Sequence, residues 1–83
     1  MLSVSVISSE SVLFEGEATS VVAPAFDGEV GILSGHAPMM TLLGRGELRL
    51  TGAGANVRFS VAGGFVQVAD DRVRVVAENA TPL

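Results

Sequence analysis

The sequence predicts an all-β fold of about ten short strands, packed as a sandwich or a barrel. Three observations carry this. Apolar and polar residues alternate with a period of two in segment after segment. Breaks bearing glycine, proline or aspartate separate those segments at regular intervals. No window holds the i, i+3, i+4, i+7 pattern over a helical length. Strands of this kind are apolar on one face only, so they pack as a sandwich or a barrel to bury it.

Each element follows from its residues. Leu2, Val4 and Val6 alternate with Ser3 and Ser5, giving a half-buried first strand. Ser8-Ser9-Glu10 reads as a turn. Ser11 to Glu15 makes a second short strand ended by Gly16, and Ala18 to Ala23 a third stopped by Pro24. Asp27-Gly28 is a strong turn dipeptide. Glu29 to Leu33 is a short strand, and Ser34-Gly35 turns the chain again. Pro38 fixes its own φ and biases Ala37 toward extended conformations. Met39 to Leu43 is apolar and buried on at least one face. Adjacent residues of a strand point to opposite faces, so one of Met39 and Met40 points outward.

Gly44-Arg45-Gly46 is the next turn. Glu47, Arg49 and Thr51 then alternate with Leu48 and Leu50, and Gly52-Ala53-Gly54 closes a hairpin. Val57, Phe59 and Val61 alternate with Arg58 and Ser60 before Gly63-Gly64 interrupts. Val66 and Val68 face one way, Phe65 and Gln67 the other. Asp70-Asp71 is a polar turn. Val73, Val75 and Ala77 complete the pattern. The whole of 1–83 is one β domain, with a tail from about residue 78.

Composition excludes several kinds of function. Nine carboxylates stand against five arginines and no lysine, a net charge of −4. Phosphate binding needs clustered basic residues, so no nucleic-acid partner is expected. Four phenylalanines without Trp or Tyr make a poor base-stacking platform. There is no cysteine, so neither a disulfide nor a thiolate metal site can form. No apolar run approaches the ~18–20 residues that span a bilayer, and the N-terminus lacks the basic and apolar regions of a signal peptide. Folding without metal, nucleotide or disulfide is expected, with no cofactor and no direct membrane insertion.

His36 is the only histidine. A catalytic histidine needs a nucleophile or an orienting carboxylate within reach, and no G-x-S-x-G, HExxH or paired-carboxylate motif is present. One histidine with scattered carboxylates is also a poor zinc site. His36 is expected to satisfy loop carbonyls beside Pro38, a role compatible with contacting a partner. Gly28, Gly31 and Gly35 do not form G-x-G-x-x-G before a helix, so turn and bulge chemistry accounts for them. Asp27 and Glu29, beside a turn glycine, read as solvated turn charges.

The stretch Gly28-Glu29-Val30-Gly31-Ile32-Leu33, then Gly35-His36-Ala37-Pro38, two large apolar residues and Thr41, resembles the signature of the epsilon subunit of F-type ATP synthases (delta in mitochondria). Ser60 to Val68, with its glycine pair, and Val73 to Ala80 are similar to two further strands of that family. The resemblance covers nearly all of the chain in the family's order, and it implies the family's fold, a flattened antiparallel β-sandwich.

It implies a non-catalytic central-stalk subunit, present once per complex, that couples the gamma subunit to the c-ring during rotary ATP synthesis. The coupling ion is proton or sodium. The subunit is peripheral, on the cytoplasmic face of a bacterial membrane or the equivalent organelle face. By the same resemblance Asp27, Gly28 and Glu29 face the c-ring. Ser8, His36, Ala37, Pro38, Met39 and Met40 face gamma. The family's C-terminal helical hairpin, which restrains hydrolysis, has no counterpart in the six residues after Ala77, so coupling without that restraint is expected. The alternative, from another class, is a free-standing β-sandwich module binding a ligand or peptide, which calls for an exposed aromatic platform.

Overall fold

The structure is a computed structural model that describes residues 1–9, 11–52 and 55–83, residue 55 by its backbone alone. Among the described residues there are eight strands and no helix. They are β1 (Leu2–Ser8), β2 (Ser11–Ala18), β3 (Ser20–Ala25), β4 (Gly28–Leu33), β5 (Met39–Leu42), β6 (Arg45–Gly52), β7 (Ala55–Ala69) and β8 (Arg72–Pro82). The fold is a β-sandwich, one of the two architectures the alternating pattern allows and the one the resemblance implies.

One hydrogen-bonded path runs β2-β1-β8-β7-β6-β3-β4, with β5 pairing β7 off the path. It makes two layers because β7 and β8 are long enough to belong to both. In the first layer β2 pairs β1, β1 pairs residues 72–77 of β8, and residues 65–68 of β7 pair β5. In the second, residues 55–62 of β7 pair β6, which pairs β3, which pairs β4. Inward side chains of both layers form one core. Leu2, Val4, Val6, Val66, Val68, Val73 and Val75 come from the first, and Val21, Ile32, Leu48, Leu50, Phe59 and Val61 from the second.

Five boundaries differ from those expected. Gly63-Gly64 does not divide β7. The β7–β8 ladder keeps one register across it, with Ala62 opposite Asn79 and Gly64 opposite Ala77. Both glycines have positive φ, 74° and 106°, so the chain bends there without losing step. A Cβ on Gly64 would collide with the Val76 carbonyl, and one on Gly63 with the Glu78 carboxylate. The tail expected from Glu78 is strand as well, since residues 79–82 pair with 59–62.

Pro24 lies inside β3 rather than ending it. The β3–β6 ladder stops at Val22 and Arg49, so the donor that proline lacks is not required on that side. Gly16 lies inside β2, covered by the Phe14 ring. Arg45 and Gly46 already belong to β6, which leaves Gly44 alone to turn the chain, its amide donating to the Pro24 carbonyl at 2.8 Å.

These joins reduce about ten strands to eight. One pairing also departs from the antiparallel expectation: β1 runs parallel to β8, Ser3 opposite Arg72 through Ser8 opposite Ala77. The turns read at Glu10 and at Ala53-Gly54 lie outside the described residues.

Candidate functional site

Strand β4 is an edge strand, hydrogen-bonded only to β3 along the path, and the two segments singled out in the sequence flank it. The Asp27-Gly28-Glu29 turn precedes it and the loop 34–38 follows it. At about 3.3 Å per residue the two ends of this six-residue strand are about 17 Å apart. The fold thus holds an acidic turn and a proline loop at opposite ends of one short rigid element.

At the first end Asp27 and Gly28 are exposed, and Gly28 takes a φ of 132° that L side chains rarely adopt. Glu29 is not a free charge. Arg49 reaches across β3 to place its guanidinium 3.4 Å from the Glu29 carboxylate. Arg49 is also 3.9 Å from Glu47, and Glu47 is 3.4 Å from Arg58. The result is an alternating row of charges over β4, β6 and β7. All its members have substantial solvent access, so each pair contributes only about 0–1 kcal/mol.

At the second end the loop is built from backbone bonds and one carboxylate. The His36 amide donates to the Leu33 carbonyl at 3.1 Å. Nδ1 of His36 lies 2.7 Å from the Ala37 carbonyl, which can only accept, so Nδ1 carries the proton. The histidine therefore satisfies a loop carbonyl, as expected. Asp71, in the β7–β8 turn, crosses to this loop. Its Oδ2 accepts from Ser34 Oγ and its Oδ1 from the Gly35 amide, both at 2.7 Å. Hydrogen bonds from the Gly35 amide, and next from Ser34, hold the Asp71 carboxyl below its ordinary range.

Asp71 is a site residue that sequence reasoning missed, because Asp70-Asp71 reads only as a polar turn. The one available signal is that Asp tolerates positive φ, and Asp70 and Asp71 sit at 50° and 59°.

Beyond the loop, β5 divides its side chains by strand geometry. Met39 is half-buried and packs on the core, while Met40 is 69% exposed. The expected split of the two methionines holds. Leu42, on the same face as Met40, is 62% exposed, and its carbonyl accepts from the Phe26 amide at 3.0 Å. Phe26 is 66% exposed. Large apolar side chains at this level of exposure are informative when they gather, and Met40, Leu42 and Phe26 gather along β5.

Ser8 is not brought to the loop. It pairs with Ala77, which pairs with Gly64, whose carbonyl accepts from the Leu43 amide; this is the Leu42 end of the layer. Ser8 is also only 8% exposed.

The chemistry available is that of a docking surface. Among the described residues no group of three or more His, Cys, Asp or Glu could hold a metal. A depression of about 480 Å³ lies on the outer face of the first layer between Glu15 and Glu17 on one side and Arg72 and Arg74 on the other. It is open and floored by Ser3 and Ser5, unlike the concave apolar pockets that hold small molecules. An aromatic platform is not assembled either: Phe59 is buried, and Phe14 and Phe65 are half-buried.

These features make a two-layered β-sandwich with an exposed apolar strand and a charged turn. Its family is specific: the chain belongs to the family described as ATP synthase, Delta/Epsilon chain, beta-sandwich domain, which matches residues 1–83. It is 43% identical over 75 residues to the ATP synthase epsilon chain of Desulforamulus reducens, covering 90% of this chain and 57% of that one. With the ATP synthase epsilon chain of Neisseria meningitidis serogroup B it shares 43% over 82 residues, 96% of this chain and 59% of the relative.

The fold also matches a chain in the cryo-EM structure of Euglena gracilis mitochondrial ATP synthase, OSCP/F1/c-ring in rotational state 1. The TM-score is 0.89 at 23% identity, covering 98% of this chain and 52% of that one. A chain of the Tetrahymena thermophila mitochondrial ATP synthase central stalk and c-ring gives 0.77 at 16% identity, covering 96% and 65%. The chain thus spans somewhat more than half the length of the curated relatives it matches.

Proposed function

We propose that this domain is a non-catalytic coupling element of the central stalk, fastening the gamma subunit to the c-ring of a rotary ATP synthase. Ion flow, of proton or sodium, turns the ring, and a rigid sandwich passes that rotation to gamma without slippage. One copy per complex serves this purpose, held peripherally at the cytoplasmic face of a bacterial membrane or its organelle equivalent, with no nucleic-acid partner and no insertion into the bilayer.

The observation that carries the reading is the apolar face of β5. Met40 and Leu42, with Phe26 beside them, are the kind of adaptable apolar surface that a protein partner covers. His36, Ala37 and Pro38 continue that surface toward the loop, with Met39 beneath. Ser8 enters only through the small exposed part of it at the Leu42 end. Asp27, Gly28 and Glu29, at the far end of β4, are assigned to the c-ring, where acidic groups facing basic loops supply register and encounter rate more than affinity.

The test is reconstitution of membranes depleted of their own epsilon chain, reading ATP-driven ion pumping. The natural chain should restore coupling. Met40→Glu should weaken association about tenfold, because a charge would be buried without a partner at an apolar contact. Its melting temperature should stay within about 2 °C of the parent, since the side chain is exposed in the free domain. Full coupling by Met40→Glu at limiting concentration would remove β5 from the gamma contact.

A further inference from the structure

The loop at residues 34–38 has little to hold it from within. Its internal bonds are the His36 amide to Leu33 and the His36 ring to Ala37. Ser34, Gly35, Ala37 and Pro38 are exposed. The bonds that reach it from another element come from the β7–β8 turn, 36 and 37 positions along the chain.

We propose that Asp71 is a positioning residue: its carboxylate, bridging Ser34 Oγ and the Gly35 amide, fixes the loop in the shape a docking partner meets. The proposal rests on the assignment of this loop to gamma. Asp71 itself is anchored. Its carbonyl accepts from the Ser3 amide at 2.8 Å, so the turn is tied to β1 while its side chain is tied to the loop. Two acceptor oxygens engage two donors on successive residues, which restrains both the position and the tilt of the Ser34-Gly35 turn. Bonds to an ionised acceptor are stronger than neutral ones.

The charged neighbours are few. Asp70 and Arg72 flank Asp71 in the turn, His36 lies in the loop, and the Met1 amino group acts from β1. A loop with several shapes would dock only in the competent fraction, and the apparent affinity would fall by that fraction. The carboxylate raises the fraction before any partner arrives.

The experiment measures association of this chain with enzyme depleted of its epsilon chain, alongside amide exchange at Gly35. Asp71→Gly keeps the positive φ that the turn needs and removes both acceptors. It should unprotect the Gly35 amide and slow association about tenfold while dissociation changes little. Asp71→Asn, with one acceptor oxygen in place of two, should fall between the two. Ser34→Ala added to Asp71→Gly should cost nothing further, because both remove the same bridge.

If Asp71→Gly binds as fast as the parent with Gly35 unprotected, the proposal is overturned. If Asp71→Gly does not fold, Ser34→Ala decides, since it leaves the turn untouched. About a threefold loss supports the proposal and none overturns it. Failure of the parent chain itself to bind would instead overturn the gamma assignment.

Discussion

Two glycine-bearing regions of this domain use the same residue for different reasons. At the corner of β7, Gly64 is required by space, and Gly63 by its φ of 74°, since the exposed Glu78 carboxylate beside it can move aside. Backbone atoms of β8 occupy the volume where a Cβ on Gly64 would stand, and the chain bends there at positive φ. Along β4 and its loop, nothing lies within 4 Å of the Cβ position of Gly28, Gly31 or Gly35. There Gly28 and Gly35 are required only by their φ of 132° and 86°, and Gly31 by neither. The first region is interior architecture. The second is open surface, as a segment that meets a partner would need to be.

The largest effect should break the corner. Gly64→Ala drives a methyl into the Val76 carbonyl at a φ of 106°. Strain and overpacking together should cost about 3 kcal/mol, lowering the melting temperature by more than about 10 °C in circular dichroism. A drop of only a degree or two would mean that the two layers can separate to accept a side chain.

Gly35→Ala should cost less, about 1 kcal/mol, since only φ opposes it. The contrast becomes sharper if its docking falls by more than its stability does, as read by melting and by association with depleted enzyme.

Acid separates the regions further. The folded Asp71 carboxyl titrates below its ordinary value of 3.8, so its bridge is complete above that value and is lost as pH falls through the folded pKa. The corner is held by backbone bonds, Leu43 to Gly64 at 2.9 Å and Gly63 to Gly44 at 3.3 Å, which do not titrate. Lowering the pH below about 3.8 should therefore reduce the protection of the Gly35 amide, taken relative to its intrinsic exchange rate at that pH, before that of Leu43. Equal loss of protection at both would show that the domain opens as a unit.

The smallest effect belongs to Gly31→Ala. With open space and no positive φ, stability should move by less than about 0.5 kcal/mol. A drop beyond about 1 kcal/mol would refute the view of this face as free surface.

Much of the fold was legible because the alternation is strong where one face is buried. Leu2, Val4 and Val6, Leu48 and Leu50, and Val73, Val75 and Ala77 are all buried as their spacing requires. What local spacing could not supply was continuity. Gly63-Gly64 looks like a break from within β7 and becomes a bend only because β8 stays in register beside it. Pro24 looks like a stop until the end of the β6 ladder is known.

The candidate site was legible in parts. The division of Met39 and Met40 follows from strand geometry alone. Leu42 was weighed with them only as apolar filling, and Phe26 joins the patch through a backbone bond no sequence pattern encodes. Asp71 lies beyond local reading altogether, because its partners are 36 and 37 residues away.

The parallel ladder between β1 and β8 sets the timetable of folding. Ser3 pairs with Arg72, so β1 gains its second neighbour only when β8, the last of the described strands in chain order, has been made. Until then β1 has β2 alone beside it, and an open hydrogen-bonding edge faces outward during synthesis. Topologies with such a high contact order fold in about milliseconds to seconds rather than microseconds, because the loop must close before the contacts that reward it form. Assembly of the core in this sense waits for β8, the last of the eight described strands to be made.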